Sequence, residues 1–232
     1  MESNTTLSPG VLVLVTGVNG YIASHVANEL LLAGYRVRGT VRNVEKSKFE
    51  LFEVPEMVLV NAFHKAAQGV VAIAHVASVM SLDADPNNVI PVVKDGVINA
   101  LEAAASQPSI KSLVYTSSSS AATSPGIDVG HDVREDSWNE DAIKRAWSTL
   151  PGDAGDHVSI YAASKTEAEK ALWKWVGERN LSFIVNSVLP NANFGRVPCP
   201  GHQEFPSTSG WIAALFKGTM SLEQMKTISP RT

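Results

Sequence analysis

The sequence holds a single cysteine, Cys199, in 232 residues. That excludes an internal disulfide, a cysteine metal cluster and a CxxC redox pair, and a reducing compartment suits such a chain. Long apolar runs are missing as well. The segment VLVLV at 11–15 is too short for a membrane span or the core of a secretory signal, and no basic stretch precedes it. A cytoplasmic location without membrane association is therefore expected. Strong net charge is absent too: −4 overall, a pI of about 5.9 and scattered lysines and arginines leave no electrostatic footprint for nucleic acid. The six histidines, His25, His64, His75, His131, His157 and His202, follow no ligand spacing such as HExxH, so no metal is expected. No paired-carboxylate site stands out. What remains is a small-molecule partner, with the oligomeric state open.

With 44% hydrophobic residues and a mean hydropathy of +0.02, the chain has enough apolar material for a sizeable core. Short β-branched runs alternate with longer helical patterns. Strands are expected at Val11–Val15, Tyr35–Val41, Leu51–Val54, Val70–Ala77, Ser112–Thr116 and Ser182–Val188. Helices are expected near Ile22–Ala33, Asn61–Gln68, Val89–Ser106, Ala142–Leu150 and Tyr161–Asn180. Alternation of this kind, with nearly continuous apolar strands, predicts an α/β fold: a parallel sheet covered on both faces by helices. The densest polar and Pro/Gly stretches, Ser117–His131 and Pro190–Gly210, follow expected strands. Ligands bind on that side of open α/β sheets.

Gly17, Gly20 and Ala23 form the spacing GxxGxxA between the first strand and the first helix. Small residues there permit a tight turn, let the backbone approach a pyrophosphate and pack the helix close to the strand. The N–H groups at the helix start, Tyr21, Ile22 and Ala23, can then face the anion. The alternative is an ordinary glycine-rich turn. At the end of the second strand an acidic residue would hold a ribose 2′-hydroxyl and a basic one a 2′-phosphate. The sequence YRVRGTVRNVEKSK puts Arg38, Arg42, Lys46 and Lys48 there, which favours NADPH over NADH, unless the cluster is simply a solvated basic loop.

Tyr161 and Lys165 lie four residues apart, on one face of an expected helix, downstream of a serine-rich strand end, VYTSSSSA. A phenol titrates at about pH 10, and a neighbouring ammonium favours the phenolate and lowers that value. A serine hydroxyl can hold a carbonyl oxygen beside such a pair.

In this order VLVTGVNGYIASHV, GYRVRGTVRN, AHVAS, VYTSSSSA, YAASKTEAEKALWKW and VLPNANFG resemble the extended short-chain dehydrogenase/reductases, in the branch of dihydroflavonol reductases and fungal ketone/aldehyde reductases. The resemblance implies a Rossmann-type doubly wound sheet, NADP as cofactor and reduction of a small ketone or aldehyde, in a secondary-metabolite pathway. It implies Ser118 as the catalytic serine, with Ser119 as the alternative in the serine run, Tyr161 as general acid, and Lys165 as the residue that binds ribose and depresses the Tyr161 pKa. Arg42 with Lys46 or Lys48 would clamp the 2′-phosphate. Glu56 stands where the family has Asp beside the adenine. Ala77 and Ser78 would line the ribose, Pro190 to Asn193 the nicotinamide, and Ser207 to Gly210 a substrate-side loop. Residues 1–190 would form the NADP-binding domain and 191–232 a remnant of the substrate-binding region.

Two further departures from the family pattern accompany the resemblance. About eight residues link Arg42 to the third strand, where a parallel crossover normally needs a dozen or more with a helix. Either that strand pairs differently or this side of the sheet is damaged. About 40 residues follow Pro190, too few for the family's full C-terminal lobe, so a shortened substrate lobe is expected. Two rival readings use the same residues: a nucleotide-sugar epimerase or dehydratase with tightly held NAD, and a non-catalytic or vestigial NADPH-binding protein.

Overall fold

A computed structural model describes residues 7–43, 50–79, 83–124, 130, 132–148, 156–201, 203, 205 and 207–224. The chain divides into two compact units. One comprises residues 1–79, 95–116 and 171–187, the other residues 80–94, 117–170 and 188–232.

The first unit is built on a sheet of six strands: β1 (Leu12–Val15), β2 (Arg36–Val41), β3 (Glu50–Glu53), β4 (Ala72–His75), β5 (Ser112–Thr116) and β6 (Ile184–Val188). Their spatial order is β3-β2-β1-β4-β5-β6, with the reversal between β1 and β4 that marks a doubly wound Rossmann-type sheet. The β1–β2, β1–β4, β2–β3 and β4–β5 ladders are all parallel. The Ile184 N–H donates to the Lys111 carbonyl at 3.0 Å and the Ser117 N–H to the Val188 carbonyl at 2.9 Å, so the β5 and β6 segments also advance in the same direction. The apolar run of β1 explains its central place: Val13, Leu14 and Val15 are all buried, as a strand covered on both faces must be.

Helix α1 (Tyr21–Leu32) returns the chain from β1 to β2. Ala23 and Ala27 pack with Val15 and Val37 in one cluster, to which Val18, Val26, Leu30, Ala74 and Val76 add. The helix stops in a left-handed Gly34 with φ of +85°. There the Gly34 N–H donates to the Leu31 carbonyl and the Tyr35 N–H to the Leu30 carbonyl. That paired closure is a Schellman end, which favours glycine at this position.

The link between β2 and β3 resolves the alternatives left by the sequence: β3 pairs with β2 in parallel, Arg38 opposite Glu50 and Val41 opposite Glu53. The register requires a backward step of only three residues, about 10 Å at 3.3 Å per residue, which a short connection can cover. A short helix α2 (His64–Ala67) and the first-unit part of α3 (Pro86–Ala105) complete this side of the chain. The expected start of α3 at Val89 is corrected to Pro86, with Pro91 inside the helix. Proline suits the first turn, where its missing N–H has no partner to lose.

The second unit contains a 3₁₀ turn at Ser119–Ala121, helix α4 (Glu140–Ser148), most of α5 (His157–Gly177) and α6 (Ser207–Phe216). The buried Asn139 organises its polar frame. Its side chain donates to the Ser120 carbonyl at 2.8 Å and accepts from the Ala142 N–H at 3.1 Å, while its own N–H reaches the Ala121 carbonyl at 2.9 Å. Helix α6 overturns the expectation of a loop at Ser207 to Gly210: these residues begin the helix. Ser and Thr favour helix starts as well as loops, which is why STSG reads equally as either. Among the described residues, no helix is long and apolar enough to cross a membrane, and no group of His, Cys, Asp and Glu could hold a metal ion.

Candidate active site

In the first unit, Thr16 fastens the end of β1 to the end of β4. Its hydroxyl accepts from the Val76 N–H at 2.9 Å and the Ala77 N–H at 3.0 Å, and it bonds the His75 Nδ1 at 3.0 Å. This draws Ala77 against Gly17. A Cβ on Gly17 would sit 3.1 Å from the Ala77 Cβ, and its φ of +66° is a left-handed value that disfavours a side chain. The next turn is pinned to β2: the Gly17 N–H donates to the Thr40 Oγ1 at 3.1 Å and the Val18 N–H to the Thr40 carbonyl at 3.0 Å. Val18 then fills the space above Gly39, where a Cβ would come within 2.3 Å of its Cγ1.

Gly20 is the N-cap of α1 and supplies no side-chain hydrogen bond; the first intrahelical bond runs from the Ser24 N–H to the Gly20 carbonyl at 2.9 Å. The N–H groups of Tyr21, Ile22 and Ala23 thus have no acceptor within the helix, the arrangement that receives an anion. Ser78, just past β4, has a buried hydroxyl without a hydrogen-bond partner. A tight glycine turn, an uncapped helix start and an orphaned hydroxyl fit a dinucleotide. Arg42 is exposed at the first position after β2, and Glu56 is exposed three residues beyond β3. Lys46 and Lys48 lie outside the described residues.

Arg38 is corrected. Its guanidinium is buried, donating to the Ala66 and Gln68 carbonyls at 2.8 and 2.5 Å and pairing with Glu50 at 2.6 Å. It braces β2 and β3 and is not part of a phosphate clamp, since the alternating direction of strand side chains turns it into the fold.

In the second unit the chain leaves β5 through Ser117 and Ser118. The Ser119 N–H bonds the Pro190 carbonyl at 3.0 Å, setting this segment beside 190–193. Asn193 is tied to α6 instead: its N–H donates to the Thr208 hydroxyl at 3.2 Å, which donates back to the Asn193 carbonyl at 2.6 Å. Ser118, 7% exposed, donates to the Ser120 hydroxyl at 3.2 Å, accepts from the Ser120 N–H at 3.2 Å, and acts on the Tyr161 phenol to lower its pKa. Of the two serines left open by the sequence, Ser118 is the one that acts on the tyrosine.

Tyr161 and Lys165 occupy successive turns of α5, and Lys165 is buried. Burial pushes the Tyr161 phenol above its usual range, opposed by the bond from Ser118. The net direction in this structure is upward, with burial the larger cause. Burial likewise lowers Lys165 from 10.5 to about 8, opposed by the negative charge of Glu169. Glu169 escapes a reading of the sequence because a carboxylate in TEAEKA looks like one of several solvated helix charges. Its signal is the spacing 161, 165, 169, which repeats one face of α5. Asn139 also goes unread, since it emerges only from contacts distant in sequence.

Two tryptophans differ in their settings. Trp175 is buried and donates to Glu102 at 2.7 Å, whereas Trp147 is 44% exposed and donates to Glu167 at 2.7 Å.

The NAD dependent epimerase/dehydratase family model matches residues 13–204. The chain belongs to this family. Aldehyde reductase 2 of Sporidiobolus salmonicolor is 40% identical over 232 residues, covering 94% of this chain and 67% of the relative. Ketoreductase adrE of Penicillium rubens is 36% identical over 230 residues, covering 93% of this chain and 66% of the relative. Among solved structures, yeast methylglyoxal/isovaleraldehyde reductase Gre2 complexed with NADPH is similar with a TM-score of 0.69 and 27% identity, over 81% of this chain and 60% of that one. The chain spans about two thirds of the length of the curated relatives it matches.

Proposed function

We propose that this family member is an NADPH-dependent reductase that converts a ketone or aldehyde to the alcohol. The observation that carries the reading is the buried Ser118 acting on the half-buried Tyr161, with the buried Lys165 one helical turn further on. The named activities of its fungal relatives support it. In this reading residues 1–190 serve dinucleotide binding and residues 191–232 contribute to substrate binding.

The nicotinamide, when bound, supplies hydride to the carbonyl carbon. Ser118 and Tyr161 donate hydrogen bonds to the carbonyl oxygen, and negative charge growing there strengthens both. Tyr161 then gives up its proton to that oxygen. A phenol held above its ordinary pKa stays protonated at neutral pH and is ready to act as an acid. The cost lies in the phenolate left behind, which the Lys165 ammonium stabilises. Gly17, Gly20 and the α1 N–H groups of Tyr21, Ile22 and Ala23 would hold the pyrophosphate, Ala77 and Ser78 would line the ribose, and Pro190 and Asn193 would border the nicotinamide. Arg42, with Lys46 or Lys48, would bind the 2′-phosphate, with Glu56 on the adenine side. A nucleotide-sugar epimerase would use the same Tyr161 and Lys165 with NAD, but Arg42 at the end of β2 favours the phosphorylated cofactor.

Loss of NADPH absorbance with a panel of ketones and aldehydes tests the reading. Turnover is expected with the natural chain and a drop of about 100-fold or more with Tyr161→Phe. A folded protein that binds NADPH yet reduces no carbonyl would overturn it.

A further inference from the structure

Glu169 is 3% exposed, as are Lys165 and Ser117. A carboxylate held that deeply needs partners, because burying an unpaired charge is costly. One partner is the Ser117 hydroxyl, which donates to the Glu169 Oε2. Ser117 is the immediate chain neighbour of Ser118, and its N–H is fixed to the Val188 carbonyl at 2.9 Å. Lys165 lies four residues before Glu169 on α5, so the two project from one face of the helix. Glu169 is the charged group that acts on Lys165. Tyr161, on the preceding turn, is neutral over the physiological range, and the segment leaving β5 presents the hydroxyls of Ser117 and Ser118.

We infer that Glu169 is a positioning residue of this site: it holds Lys165 as the ammonium and, through Ser117, ties the segment bearing Ser118 to the helix bearing Tyr161 and Lys165. It touches no reacting atom. Its part in turnover rests on the reductase reading; its hold on the Lys165 charge does not.

Glu169→Gln keeps the shape and the acceptor for Ser117 but removes the charge. The direct readout is the pH titration of lysine side-chain carbons by NMR, with the Lys165 signal identified by its loss in Lys165→Arg. The natural chain should give a Lys165 midpoint near 8, and Glu169→Gln a midpoint lower by about one unit or more. A one-unit fall reduces the ammonium fraction at pH 8 about fivefold, so the alkaline limb of the kcat profile should move down by the same interval. Glu169→Asp, which retains the charge, should restore most of the midpoint and rescue the profile. It also serves as the test against the natural chain if Glu169→Gln does not fold. An unchanged Lys165 midpoint in folded Glu169→Gln overturns the inference, as does an Asp variant that titrates no higher than the Gln variant. If the natural chain reduces no carbonyl, the reductase reading fails while the NMR comparison still decides the role of Glu169.

Discussion

Between pH 8 and about 10.5, Lys165 is neutral in the folded chain and charged in the unfolded one. The unfolded state therefore binds more protons in that window, and stability rises with pH across it. Below pH 8 both states carry the charge and the folded one bears the full cost of its burial. Activity should run the other way, falling as the ammonium is lost. Urea unfolding at pH 8 and pH 10 is expected to show a rising contribution from Lys165 that Lys165→Gln removes, while kcat of the natural chain declines over the same interval. A parallel rise of both would contradict the role given to the ammonium. At this scale the sequence exposed the residues whose chemistry is local. Tyr161 and Lys165 announce themselves by spacing, and Gly17 and Gly20 by their place between strand and helix. Glu169, Asn139 and Gly39 do not, because what distinguishes them is a neighbour brought in from another element. Arg38 misleads for the same reason: nothing in a string of basic residues tells which side chain turns inward.

Helix α5 carries both Tyr161 and Lys165, so the way it begins matters to the site. Asp156 precedes the helix, and its carboxylate accepts from the Val158 N–H at 3.0 Å and the Ser159 hydroxyl at 2.5 Å. Burial alone would raise its pKa; the hydrogen bonds from Ser159 and Val158 outweigh that and hold it below the usual value. A depressed carboxylate contributes stability that is present above its unfolded pKa and lost as pH falls through the folded one. Asp156→Ala should cost about 1 kcal/mol at neutral pH, and the difference from the natural chain in thermal unfolding should shrink as acid protonates the cap. A constant difference would assign the loss to packing instead. The elements most legible in the sequence were those with uniform apolar runs: Ser112–Thr116 is expected and observed with the same limits, and β1 differs by one residue. Helix α6 is hard to read because its polar start, STSG, resembles a loop and its apolar continuation is only partly covered, with Ile212 47% and Phe216 95% exposed. The β2–β3 connection is too short only against the length of a full crossover, whereas four-residue β3 asks for much less travel.

For the molecule as a whole, the sheet order and the glycine turn place the dinucleotide reading on a fold that the sequence had anticipated, while the side chains that would choose between NADPH and NADH stand partly outside the described residues. The choice can be read globally. A ligand at about 100 times its Kd adds about 2.7 kcal/mol of stability to the folded state, which for a chain of this size corresponds to about 5–10 °C in Tm. NADPH is expected to raise Tm by that order, NADH by less, and Arg42→Ala should lower the NADPH shift towards the NADH value without affecting the latter. Equal shifts in the natural chain would remove the case for a 2′-phosphate contact.

The short return from β2 to β3 also bears on how the sheet assembles. Arg38 and Glu50, joined across this ladder, are twelve residues apart in the chain, whereas Thr16 and His75, which join β1 to β4, are separated by 59. Loop-closure entropy grows with the logarithm of that separation, so bringing β2 to β3 costs about 1.4 kcal/mol less than bringing β1 to β4. Parallel sheets usually fold slowly because all their pairings are distant in the chain. Here one edge is nearly local. Pulsed hydrogen-exchange labelling during refolding should find amides of β2 and β3 protected before those that join β1 to β4, giving the sheet a nucleus at its edge from which the central strands are later recruited.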